Sequence, residues 1–151
     1  MLFRSRLAEH YGVFSHLCRQ INDICPKLIL WNLRNGWNNT HAGIYKTIDA
    51  ISLMPINKTM PWWILPEAML ALLLAYRQTQ NNEFLHKYML VNNTYINNYL
   101  NPITDFGPYQ NLDAETGKPV NIIPACKFQD PEFHSGKNIL SCAQLIALLP
   151  H

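Results

Sequence analysis

Two ionisable side chains stand at the heads of apolar helical stretches, which makes them candidates for chemistry. Glu67 opens Glu67-Ala-Met-Leu-Ala-Leu-Leu-Leu-Ala-Tyr76, and His134 precedes Asn138-Ile-Leu-Ser-Cys-Ala-Gln-Leu-Ile-Ala-Leu-Leu149. A helix N-terminus presents unpaired N–H groups and the positive end of the helix dipole, so it favours a bound anion or a developing oxyanion. Histidine ionises near neutral pH and can take up and return a proton, while a carboxylate can orient it or a substrate. Both side chains also have plainer uses, His134 as a cap and Glu67 as a first-turn carboxylate that satisfies the dipole. Upstream of Glu67, Trp62 and Trp63 offer flat faces that either stack on a ring of C–H groups or pack a hairpin against the helix. The four cysteines form no C-x-x-C pair and no Cys/His zinc spacing, so buried reduced thiols are expected, with no metal site and no cofactor.

The elements that must position these residues repeat. Gly43-Ile-Tyr45-Lys-Thr-Ile48-Asp49-Ala50 is answered by Gly107-Pro-Tyr109-Gln-Asn-Leu112-Asp113-Ala114, an offset of 64 residues, and the register holds through Pro55/Pro119 and Asn57/Asn121. Segments 43–57 and 107–121 are therefore expected to be two copies of one extended hairpin. Asp49 and Asp113 would fix the turns, and Tyr45 and Tyr109 recur as scaffold. After the first hairpin, residues 62–79 predict an inner helix starting near Pro66, apolar nearly all round and hence buried on every side. Residues 82–100 alternate faces at helical spacing, turning Phe84, Leu85, Tyr88, Val91, Tyr95 and Tyr99 inward as an outer helix. Upstream, 7–20 and 26–35 read as a further helix pair split at Cys25-Pro26, because proline ends or kinks a helix. About five helices result.

A helix pair with its own hairpin in a 64-residue unit is longer than solenoid repeats of roughly 33 to 47 residues and favours an α/α toroid. The expected fold is all-α: one domain, 1–151, an incomplete six-hairpin toroid with short β-hairpins at one end and units at about 43–106 and 107–151. Half a toroid would leave the face of Leu70, Leu73 and Leu74 uncovered, so a homodimer or a missing N-terminal half is expected to cover it.

With 151 residues and 48% hydrophobic content the chain can bury a core. Its net charge is only +2, with no run of Lys or Arg able to neutralise successive phosphates, which argues against nucleic acid. Neither a signal peptide nor a span of ~20 apolar residues is evident, so no membrane association and a cytoplasmic location are expected. Abundant Asn and only 15% charged residues suit a neutral hydroxylated ligand.

Three spaced motifs resemble the C-terminal part of the N-acylglucosamine 2-epimerase family of sugar epimerases and isomerases. Gly36-Trp37-Asn38, followed by Ala42-Gly43-Ile-Tyr45, is similar to the family's G-W-D and G-G-x-Y; Trp62-Trp63 to Glu67-Ala68 is similar to W-W-P-x-x-E-A. Leu112-Asp113, Gly117-Lys118-Pro119 and Phe133-His134 are similar to D-G-K-P and F-H. The likeness runs over roughly residues 30 to 149, in family order. Asn38, Ala42 and Lys137 depart from the family's Asp, Gly and Arg, and no counterpart of its N-terminal half is present. The resemblance implies proton transfer next to the carbonyl of a free sugar, with His134 as one acid/base histidine and Glu67 as orienting carboxylate. Trp62, Trp63, Lys137 and Tyr45 would contact the sugar. The second histidine has His10 as its nearest candidate by order and His16 after it, although neither is followed by the family's H-x-x-E glutamate. A glycoside hydrolase or lyase on the same toroid, or a non-catalytic truncated toroid that binds carbohydrate or serves structurally, are the alternatives.

Overall fold

The computed structural model describes residues 15–100, 109–120 and 133–149, with side chains from residue 19 and, in the last segment, from residue 136. The chain is mostly helical, with three small antiparallel strand pairs. Helix α1 (Ser15–Gly36) leads into β1 (Trp37–Asn38), which pairs with β2 (Gly43–Ile44). Strand β3 (Thr47–Ile48) pairs with β4 (Pro55–Asn57). Strand β5 (Thr59–Pro61) then leads into α2 (Ile64–Thr79). Helix α3 (Asn82–Thr94) continues into a π-helical turn (Tyr95–Tyr99). Strand β6 (Asn111–Asp113) returns to pair with β5, and α4 (Phe133–Ala147) packs on α2.

The all-apolar run becomes α2 as its composition requires. Pro66 sits in the first turn, where its missing N–H costs nothing. Leu65, Met69, Leu72, Leu73 and Ala75 are buried, and Leu70 and Leu74 pack against the same core. Of the face expected to lie bare on α2, Leu73 is thus buried within the chain and Leu70 and Leu74 are partly buried. Bare apolar surface lies elsewhere: in α4 Asn138, Cys142 and Leu145 point into the protein while Ile139, Ile146 and Leu140, the last 60% exposed, lie on the other side, and α1 exposes Ile24, Leu28 and Trp31.

Helix α3 starts where Asn81 Oδ1 accepts the Glu83 N–H at 2.9 Å, an N-cap that fixes the tight turn out of α2. Its inward face carries Phe84, Val91, Tyr95 and Tyr99, all buried, with Leu85 and Tyr88 partly so. The widened final turn, closed by Leu100 N–H on Tyr95 O at 3.2 Å, stacks Tyr95 on Tyr99 with centroids 6.4 Å apart. The Tyr99 hydroxyl can then donate to Met60 O at 2.9 Å, tying α3 to β5. Burial pushes the Tyr99 phenol well above its ordinary range, so it stays a donor. Gly43 lies against the same pair, where a Cβ would come within 2.6 Å of Met60 Sδ and 3.3 Å of the Tyr99 oxygen.

The upstream helix does not split at Cys25-Pro26; α1 runs through Pro26 without a break. A proline cannot donate to the carbonyl four residues back, here Asn22 O. Gln78 Nε2, from α2, donates to that oxygen at 2.8 Å, so a tertiary contact replaces the missing helical bond. Four α-helices are present among the described residues. Residues 7–14 lie outside them.

Candidate functional site

The head of α2 is built by the strands before it. Trp62 N–H donates to Gln110 O at 3.0 Å, extending the β5–β6 ladder, and Leu65 N–H then turns back onto Trp62 O at 3.1 Å. The two tryptophans consequently part company. Trp62 is 4% exposed and belongs to the core, whereas Trp63, at the helix N-cap, is 42% exposed. Only Trp63 has ring surface for a ligand. Glu67 follows in the first turn of α2, exposed, one helical turn on from Trp63.

Lys137 is exposed near the start of α4, and His134 lies in that helix's first turn. The His134 side chain, all of His10 and the side chain of His16 fall outside the described residues. Tyr45 is partly buried against the core, its N–H on Gly36 O at 2.9 Å; Tyr109 is placed alike, its N–H on Tyr99 O at 2.8 Å. Each tyrosine fastens a hairpin to the C-terminal end of the helix before it.

Beside these strands lies a polar cluster of which the motifs marked Asn38 but not its partners. Asn38 is 3% exposed. Its Oδ1 accepts the N–H groups of Thr40 at 2.8 Å and His41 at 3.0 Å, while Nδ2 donates to Ala114 O at 2.7 Å. An aspartate here would accept the first two bonds but could not make the third, so the amide has a structural use at this position. His41 Nε2 lies 2.7 Å from Glu115 O; a carbonyl only accepts, so Nε2 carries the proton. Asn98 Nδ2 donates to His41 O at 3.1 Å, and Lys58 pairs with Glu115, which raises the lysine's affinity for its proton. The Asn38 partner is 76 residues away, and no local spacing announces it.

The cluster holds the turn after β6. There Asp113 Oδ1 accepts Glu115 N–H at 3.1 Å, Thr116 N–H at 2.8 Å and the Thr116 hydroxyl at 2.8 Å. The turn after β3 is its counterpart at the 64-residue offset. Asp49 Oδ1 accepts Ile51 N–H at 3.0 Å, Ser52 N–H at 2.7 Å and the Ser52 hydroxyl at 2.9 Å. These bonds, to Ser52 in one and Thr116 in the other before their neighbours, hold both carboxyls below the usual aspartate range. The bridge Ile48–Pro55 likewise matches Leu112–Pro119.

Burial raises the thiols of Cys25 and Cys142, the latter to about 11, so both are protonated apolar groups with no nucleophilic thiolate. Among the described residues no three His, Cys, Asp or Glu side chains gather as a metal cluster, and no helix is long and apolar enough to cross a membrane.

No protein-family model matches the chain. It is similar to the N-acylglucosamine 2-epimerases of Rattus norvegicus and Mus musculus, each 26% identical over 129 residues, 83% of this chain and 30% of theirs. The likeness falls on the C-terminal part of those proteins. The chain thus spans under a third of the length of the curated relatives it matches. The crystal structure of a D-mannose isomerase is similar over 78% of this chain and 28% of its own, with a TM-score of 0.55 and 17% identity, a likeness of fold.

Proposed function

We propose that this chain is part of a sugar epimerase or isomerase acting by proton transfer at the carbon next to a free sugar's carbonyl. The observation that carries the reading is the 129-residue likeness to N-acylglucosamine 2-epimerases, which takes in both the Trp63/Glu67 helix head and the polar hairpins before it. In this reading the chain is one domain of an incomplete α/α toroid, with units at about 43–106 and 107–151, and both helix heads open on one mouth.

The chemistry needs few groups. His134 as base takes the proton from C2; the C–H electron pair becomes the C1=C2 bond and the carbonyl π pair moves onto its oxygen, giving an enediolate, or an enolate where C2 carries an acylamino group. Return of a proton to the opposite face of C2 gives the epimer; where C2 bears a hydroxyl, return to C1 with the hydroxyl proton passing from O2 to O1 gives the isomer. A second acid is required for the other face, and His10 is the candidate within these residues. Glu67 orients His134 or a sugar hydroxyl, Trp63 stacks on the ring, and Lys137 balances the developing oxyanion. Tyr45 and Trp62, packed into the scaffold, act by holding the hairpin. Incubating the protein in heavy water with a panel of N-acylated and unmodified aldoses tests the proposal: deuterium at C2 is expected for at least one sugar. Its absence across the panel moves the reading to a non-catalytic toroid segment.

Both readings leave one surface to be covered. The apolar face of α4, with Ile139, Leu140 and Ile146 exposed, is unpartnered among the described residues, and in a part-toroid a second copy or a missing half would cover it. Light scattering of the chain at rising concentration separates the two sources, since only the second copy gives a dimer without another protein.

A further inference from the structure

Of two turns with the same internal hydrogen bonds, one is seated and the other is open. The seated turn, 113–118, lies on a receiving surface formed by residues 37–61. Ala114 N–H donates to Lys58 O at 2.8 Å, Leu112 pairs with Met60, and Ala114 O and Glu115 O accept from Asn38 and His41. The His41 ring presses on Gly117 so closely that a Cβ there would lie 2.6 Å from Nδ1. The open turn, 49–54, has Ile48, Ala50, Ile51 and Leu53 in the equivalent places. Among the described residues β3 pairs with β4 alone, and Ile51 is 95%, Met54 65% and Ile56 66% exposed. An unpaired strand edge flanked by bare apolar side chains is a template for another strand.

We infer that the outer edge of β3 and the turn 49–54 form a docking surface for a strand and loop built like residues 37–61, supplied by a further unit outside these 151 residues. The occupant's chemistry can be read from the substitutions between the turns. Glu115 pairs with Lys58, but its counterpart is Ile51, so the occupant carries an apolar residue where this chain has Lys58. Gly117 meets His41, but its counterpart is Leu53, so the occupant has a small residue where this chain has His41. A second copy of the chain is thereby disfavoured: its own loop carries His41 and Lys58, and is already filled by its own turn. This inference does not depend on the sugar chemistry.

The test uses the whole chain, isotope-labelled, and a peptide of residues 36–62 bearing His41→Gly and Lys58→Leu. In the free chain the amides of Ile48 and Ala50 should exchange with solvent at least about tenfold faster than those of Leu112 and Ala114. The substituted peptide should shift the resonances of 48–54 and slow that exchange, and the unsubstituted peptide should bind at least about tenfold more weakly. Ile51→Asp, at an exposed position that leaves the fold intact, should weaken binding by about tenfold or more. The reciprocal change, Ile51→Glu with Leu53→Gly, should reverse the preference between the peptides. Equal protection of the two edges in the free chain, self-association that protects Ile48 and Ala50, no peptide binding, or equal binding of both peptides would each overturn the inference.

Discussion

The turns at 49–54 and 113–118 share an aspartate, a hydroxyl residue three positions after it, and the same set of accepted hydrogen bonds, yet differ in what surrounds them. The second is clamped by Asn38, His41 and Lys58; the first projects Ile51 and Met54 into solvent. The backbone asks the same of both, since Leu53 at φ 58° and Gly117 at φ 68° occupy the left-handed region. Local sequence therefore makes the turn, and tertiary contact decides which side chains it can bear. Where a histidine ring closes over the left-handed position only glycine fits, and where nothing closes over it a leucine is tolerated under strain.

The largest effect expected from breaking this contrast is at Gly117. Gly117→Ala adds a Cβ into the His41 ring and strains the backbone together, and should destabilise by about 2 to 4 kcal/mol in urea unfolding. A loss no greater than that of an exposed loop substitution would mean the turn is not clamped. Next comes Asn38→Ala, which leaves Ala114 O and two N–H groups without their buried partner and should cost about 1 to 3 kcal/mol. Asn38→Asp, which keeps the two accepted bonds, should recover part of that loss. Leu53→Gly should stabilise by about 0.5 to 1 kcal/mol, because relief of left-handed strain outweighs the added freedom of the unfolded chain.

The smallest effect concerns acid. Asp113, held low first by the Thr116 hydroxyl, and Asp49, held low first by the Ser52 N–H, both bind protons less readily folded than unfolded. Their contribution is complete above the ordinary carboxylate range near pH 4 and disappears as pH falls through the lowered folded values. Thermal midpoints followed from pH 6 to pH 2 should drop less steeply for Asp113→Asn and Asp49→Asn than for the parent. Identical slopes would show that neither carboxylate is linked to folding.

Much of this frame was legible in the sequence because it is written locally. The offset of 64 residues found both turns, the apolar run found α2 within two residues of its start, and helical spacing found the buried face of α3. Three features were not legible. Pro26 reads as a break, and only Gln78, brought from another helix, lets α1 continue through it. Nothing local in Asn38 marks it as the amide that reaches Ala114. Coverage of Leu70 and Leu74 depends on how neighbouring helices close over α2, while α4, equally apolar in sequence, keeps one side bare. Of the candidate site, burial separates Trp63 from Trp62, a distinction that the paired letters could not make.

The proposed proton transfer rests on His134, and the most direct measurement compares wild type with His134→Asn for deuterium incorporation at C2 of whichever sugar the wild type exchanges. Asparagine keeps a similar shape and a hydrogen-bonding edge but cannot shuttle a proton. The account predicts that exchange falls about 100- to 10,000-fold while sugar affinity, followed through Trp63 fluorescence, stays within about threefold. Exchange at the wild-type rate in the variant would contradict it and remove His134 from the mechanism.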